Sequence, residues 1–208
     1  MSIPWFYMWS EPVFHKVMLH SVTGFDLKSI QSEASTLKER AELIVTSLKS
    51  TSEPYIIFSV SDIIVNPGFA SELSEVKGDM VFIEGAKGAI QTNLIYLKNS
   101  PDVLEFWSSL TDTTLEENLS KFKGTWSKFT NKCQTTETWD KVSEFKILVL
   151  VSSGFGKEFD FAEKVFRMAQ HIEMQPYMQY IPEDIVPFIY KIQELLFLTH
   201  KEMKTHHN

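Results

Sequence analysis

Thiols are almost absent from this chain. Cys133 is the one cysteine in 208 residues, which excludes an internal disulfide and any multi-thiolate metal or iron–sulfur site, and fits a reducing compartment. Positive charge is also short, with 20 Lys and Arg against 27 Asp and Glu and a net charge of −7. That balance argues against nonspecific nucleic-acid binding. No apolar run approaches the ~18 residues a membrane span needs. The start, MSIPWFYMW, lacks the positive flank of a secretory signal. A soluble cytoplasmic protein without a membrane span and without a nucleic-acid partner is the expectation. Missing too are G-x-S-x-G, H-E-x-x-H, a P-loop and G-x-G-x-x-G, which removes the most recognisable hydrolase, zincin, NTPase and dinucleotide readings.

The chain is instead rich in apolar residues, 43% hydrophobic with 16 Phe and 5 Trp, enough for a substantial core. Its order predicts strands over Ile3–Met8, Phe25–Gln31 and Tyr55–Val60, with helices between them. Ser10-Glu11-Pro12 reads as a first helix start, with Ser10 as cap and proline in the first turn. Thr36-Leu-Lys-Glu39 is a capping box opening a helix whose apolar stripe is Leu37, Ala41, Ile44 and Leu48. This β-α-β-α-β order is the signature of a parallel sheet with crossover helices. Further on come a helical piece at Phe69–Glu75 and strands at Asp79–Ile83 and Ala89–Leu97. A helix starts at Ser100-Pro101, and a polar segment, Thr111–Thr138, is anchored by Phe122, Trp126 and Phe129. A late strand, Glu144–Val151, is followed by helices at Phe159–His171 and about Pro187–Lys204.

Between two apolar runs of "YIIFSVSDIIVNPG" stands one carboxylate, Asp62. Where a parallel strand ends, ligands gather, and a carboxylate there can hold a divalent ion that holds a diphosphate. From spacing alone an Asx-turn or cap is the favoured reading of the same residue. Ser152-Ser-Gly-Phe-Gly156 can cradle phosphate or form a plain turn, and the turn is favoured. His171 can be a ligand, a phosphate contact or a structural histidine. His15 and His20 lack metal-ligand spacing, Cys133 has no activating neighbour in sequence, and His206-His207 reads as a solvated tail.

Taken together, the middle of the chain resembles the GT-A type nucleotide-diphospho-sugar glycosyltransferases. In those enzymes an apolar strand ends in D-x-D, and here Ile57-Phe-Ser-Val60-Ser61-Asp62-Ile-Ile-Val65 stands in its place. Asp79-Met-Val-Phe82, Gln91-Thr-Asn93-Leu-Ile-Tyr-Leu-Lys98 and Val103-Leu-Glu-Phe106-Trp107 follow in the family's order. The segments IPWFYMWS and QPYMQYIPEDIVPFIYKIQ are similar to those of small chlorovirus transferases that build capsid glycans, which would place the protein in a virus-infected host cell.

The resemblance implies a single α/β GT-A (Rossmann-like) domain over residues 1–208 with a mostly parallel sheet flanked by helices. Residues 1–65 would be the nucleotide-binding half, and 66–208 the acceptor and sugar half with a C-terminal helix. It implies sugar transfer from a UDP-sugar donor to a glycan or glycoprotein acceptor, with Mn²⁺ or Mg²⁺ on Asp62 and on His171 of Ala169-Gln-His171. Ser10, Ser61 and Asp62 would lie at the nucleotide, Gln91 and Asn93 at sugar or acceptor, and Glu116 would orient or deprotonate the acceptor. Three departures stand out. Val60 replaces the first aspartate, Leu94 replaces a glycine that lets backbone approach the sugar, and Glu116-Glu117 replaces an acidic-Gln pair. A degenerate binding or scaffold protein and a nucleotide-sugar hydrolase are the alternatives.

Overall fold

Alternation in Pro4-Trp-Phe-Tyr-Met-Trp9 sends Trp5, Tyr7 and Trp9 to one side of the first strand and Phe6 and Met8 to the other. Both faces are buried along most of its length, as a strand covered by helices on both sides must be. The computed structural model describes residues 3–66, 68–85, 88–110, 114–129, 133–135, 146–150, 154 and 156–194. It divides into two compact units, Met1–Val149 and Leu150–Asn208.

The first unit opens β1 (Pro4–Trp9), α1 (Pro12–Ser21), β2 (Asp26–Gln31), α2 (Leu37–Lys49), β3 (Tyr55–Val60) and β4 (Ile63–Val65). It continues with α3 (Phe69–Glu75), β5 (Met80–Glu84), β6 (Ile90–Lys98), α4 (Pro101–Ser108), α5 (Leu115–Leu119), β7 (Trp126–Lys128), β8 (Cys133–Thr135) and β9 (Ile147–Val149). Six strands form one sheet in the order β2-β1-β3-β6-β5-β7. β1 pairs in parallel with β2 and β3, and β5 with β7, whereas β6 runs antiparallel to both β3 and β5. Five strands therefore point one way and β6 alone is reversed, the mostly parallel sheet that the sequence implied. A second sheet has the order β4-β9-β8.

Helix stripes explain the layers. Ala41, Ile44 and Leu48 of α2 are buried at helical spacing, as are Val103, Phe106 and Trp107 of α4, and α2 packs on α4. On α1 the buried residues are Val13, Phe14, Val17 and Met18, and this helix packs against β4. The Thr36 capping box forms: Glu39 N donates to Thr36 Oγ1 at 3.2 Å and Thr36 N to Glu39 Oε2 at 2.9 Å. Ser100 caps α4 from Val103 N at 3.5 Å.

Two expectations need correction. Ser10 does not cap α1; Glu11 holds that position and makes no side-chain cap bond. Pro12 stands at the first helical position, where its missing N–H would have had no partner within the helix. Within the polar segment 111–138, three residues form β7, a sixth strand at the sheet edge, too short to show a period. Trp126 on it is 39% exposed yet sets its ring edge-on to the buried Phe82, while Phe129 is buried and Phe122 packs edge-on against Phe106.

In the second unit, α6 (Lys157–Ala169) buries Phe161, Ala162, Val165 and Met168. It also carries an ion pair, Arg167 Nη2 to Glu163 Oε1 at 2.6 Å, whose side chains are only 7% and 3% exposed. Gly154 N donates to Asp160 Oδ1 at 3.0 Å at the start of that helix. The rest of the serine–glycine run before Gly156 lies outside the described residues. Residues 186–194 are helical, in keeping with the expected last helix, whose remainder to Lys204 lies outside them, as does the His206-His207 pair.

Candidate functional site

Asp62 stands where the chain passes from one sheet to the other. Ser61 and Asp62 are a two-residue bend between β3, in the six-stranded sheet, and β4, in the three-stranded one. Ser61 is buried and Asp62 half-buried. The apolar runs on either side are thus two strands of two sheets, and the carboxylate lies at the carboxyl end of β3, where open α/β sheets take ligands.

Asn93 reaches the same edge through the reversed strand. Leu94 faces Ser59 across the β3–β6 ladder, so Asn93 lies one step beyond, beside the end of β3. On its other side the β5–β6 register jumps, with Phe82 opposite Ile95 but Ile83 opposite Gln91. Thr92, Asn93 and Leu94 form this bulge, a device that re-aims side chains at sheet edges and active sites. Leu94 itself is fully buried and belongs to the core.

Arg40 ties these pieces together, and sequence reasoning missed it. It sits in the first turns of α2, beside Ala34 at the end of the preceding loop. Nη1 donates to Thr92 Oγ1 at 3.0 Å and to Asn93 Oδ1 at 3.1 Å, and Nε to the Ala34 carbonyl at 3.4 Å. Burial lowers the Arg40 pKa and the Asp62 carboxylate opposes that shift; the guanidinium stays charged. A signal was present: Arg40 is three residues after Leu37 and four before Ile44, on the helix stripe that faces inward.

A second cluster surrounds the start of β6. Ile90 N donates to Glu116 Oε1 at 3.4 Å, a long bond that places Glu116 of α5 next to Gln91. The Gln91 amide lies over Gly85, where a Cβ would collide with it. Gln91 Oε1 is buried and has no partner among the described residues.

At the end of β1, Ser10 is exposed. Before it the Trp9 ring stacks on His15 with centroids 4.3 Å apart, and Tyr7 Oη lies 3.0 Å from His15 Nδ1. Burial lowers the His15 pKa. Trp9 Nε1 is buried without a partner among the described residues. The clue in sequence was the aromatic alternation of Trp5, Tyr7 and Trp9. His171 follows α6 in the second unit, where its backbone N donates to the Met168 carbonyl at 3.0 Å and its side chain is exposed.

The donor set at Asp62 does not fit Mn²⁺ or Mg²⁺. Hard divalent ions ask for several oxygen ligands, but Val60 stands where a second carboxylate would, and a guanidinium occupies the neighbourhood. Among the described residues no three His, Cys, Asp or Glu side chains come together as a metal-holding group. Among the same residues no helix is long and apolar enough to cross a membrane.

No protein-family model matches the chain, and no curated protein sequence does either. Solved structures do. A glycosyltransferase involved in glycosylation of the major capsid of PBCV-1 superposes with TM-score 0.52 at 14% identity, over 71% of this chain and 93% of that one. A candidate nucleotide-diphospho-sugar transferase from Desulfovibrio desulfuricans G20 gives TM-score 0.53 at 10% identity, over 95% and 98%. Identities this low speak to fold. The chain has the mixed α/β, GT-A-like fold of nucleotide-diphospho-sugar glycosyltransferases.

Proposed function

We propose that this protein transfers a sugar from a nucleoside-diphosphate donor, UDP-linked, to a hydroxyl of a glycan or glycoprotein. The observation that carries the reading is the convergence of Arg40, Asp62, Thr92 and Asn93 at the carboxyl edge of the parallel strands. Its support is twofold: the shared fold, and a cation placed where such folds take anionic ligands.

In the transfer, the bond from the anomeric carbon to the donor phosphate oxygen breaks and its electron pair leaves with the nucleoside diphosphate. The acceptor hydroxyl oxygen bonds to that carbon, and its proton passes to a carboxylate, for which Glu116 is the candidate. Gln91, next to Glu116 at the start of β6, is the candidate hydrogen-bond partner of a sugar or acceptor hydroxyl, and Asn93 serves beside it. Ser10 and Ser61 lie toward the nucleotide. Positive charge builds on the sugar as the leaving group departs, so fixing the diphosphate and holding the acceptor in line are the protein's main tasks.

Val60 favours a second reading, a donor-binding protein without turnover. Melting curves with UDP, GDP, ADP and CDP, followed by incubation of the matching nucleotide sugars with and without glycan acceptors, separate the cases. The proposal expects UDP to raise the melting midpoint and acceptor to accelerate UDP release. Binding without release supports the second reading. Free sugar formed at the same rate without acceptor identifies a hydrolase, and no shift with any nucleotide refutes all three.

A further inference from the structure

We infer that Arg40 is the resident cation of the diphosphate site and does there what a divalent metal would otherwise do, so that donor binding needs no metal. This inference rests on the proposed nucleotide-sugar reading and specifies how its anionic part is held.

The geometry is that of a charge held from one side. Three donors of the guanidinium are used on Ala34, Thr92 and Asn93, and every one of those acceptors is neutral. The two remaining N–H groups, both on Nη2, meet no acceptor among the described residues, and Nη2 is not among the sealed, unsatisfied polar atoms. A half-buried cation with neutral acceptors is under-compensated, which is costly unless a ligand completes it. Asp62 acts on it across the site but is a single carboxylate.

Guanidinium suits this task. Its planar fork presents paired donors matched to phosphate oxygens, and it stays charged at every working pH. The surrounding bonds orient it before a ligand arrives, which lowers the ordering cost of binding. The departure at Val60 then has a physical reading. A second carboxylate beside Asp62 would pair with Arg40 and cancel the charge that the diphosphate requires. The apolar residue and the arginine go together: one carboxylate fewer, one fixed cation more.

Calorimetric titration of the full chain with UDP and with uridine, in EDTA and then in millimolar Mn²⁺, tests this. Wild-type protein should bind UDP in EDTA, with an affinity within about threefold of that in Mn²⁺. Arg40→Gln should lose at least tenfold in UDP affinity and leave uridine binding unchanged. Should Arg40→Gln fail to fold, Arg40→Lys keeps the charge without the fork and should bind UDP in EDTA less tightly than wild type. UDP binding that appears only with Mn²⁺ overturns the inference and leaves the donor reading intact. An undiminished UDP affinity in either folded variant overturns it too. Failure of wild type to bind UDP, with or without metal, removes the donor reading itself.

Discussion

Asn93→Asp is the perturbation that most sharply separates the stability of this site from its ligand chemistry. Asn93 Oδ1 already accepts from Arg40 Nη1 at 3.1 Å, so the replacement keeps the acceptor and adds a charge. No hydrogen bond donated by Asn93 Nδ2 stands to be lost among the described residues, and the new oxygen reaches solvent. Two unit charges at about 4 Å attract by ~4 kcal/mol at an effective dielectric of 20 and by ~1 kcal/mol in water. Both groups keep part of their surface in water, so the lower end applies. The variant should therefore be more stable by about 1 kcal/mol, a rise of roughly 2–4 °C in melting midpoint for a chain of this size. Its UDP affinity should fall at least tenfold, about 1.4 kcal/mol, because the guanidinium is now neutralised from within. Urea denaturation and calorimetry with UDP read the two effects separately. Increased stability with unchanged UDP affinity would refute the claim that Arg40 faces the diphosphate. Lowered stability would refute the geometry.

Two further predictions concern the scaffold. Thr36→Ala removes the hydroxyl that accepts from Glu39 N at 3.2 Å, and should cost about 1 kcal/mol in urea denaturation. Because α2 carries Arg40, it should also weaken UDP binding modestly. Asp79 accepts from Thr125 N at 2.8 Å and from Lys98 Nζ at 3.0 Å, and these bonds hold its carboxyl below the usual range. Its contribution is present above the unfolded pKa, about 4, and is lost as pH falls through the lower folded value. Melting midpoints measured across acid pH should drop less steeply in Asp79→Asn than in wild type.

Local features were legible wherever a few neighbouring residues decide the outcome. The capping box at Thr36 and Glu39, the Ser100-Pro101 helix start and the β-α-β-α-β run are all written in short windows. The reversal of β6 needed one more step. Only residues 85–89 join Glu84 to Ile90, too few for a crossover, so β5 and β6 have to pair antiparallel. β7 escaped because three residues carry no period. Asp62, Gln91 and Asn93 were singled out through motif order, and the structure gives them neighbours. Asn93 is bonded by a side chain 53 residues away along the chain, one that also feels the charge of Asp62. No local pattern announces such a contact, although a charged residue on the inward stripe of α2 was a visible anomaly. Val60 looked like a loss when judged against a motif. On the reading that Arg40 holds the diphosphate, it is the residue type that leaves the cation available.

A crystal structure of the protein soaked with UDP in EDTA tests the central claim most directly. The account predicts diphosphate oxygens within hydrogen-bond distance of Arg40 Nη2, at the carboxyl end of β3 and beside Asn93. Another cleft on the first unit, about 300 Å³, is lined by Asp102, Glu105, Phe106, Lys121, Phe122 and Lys123. Nucleotide bound there, with Arg40 untouched, would contradict the account.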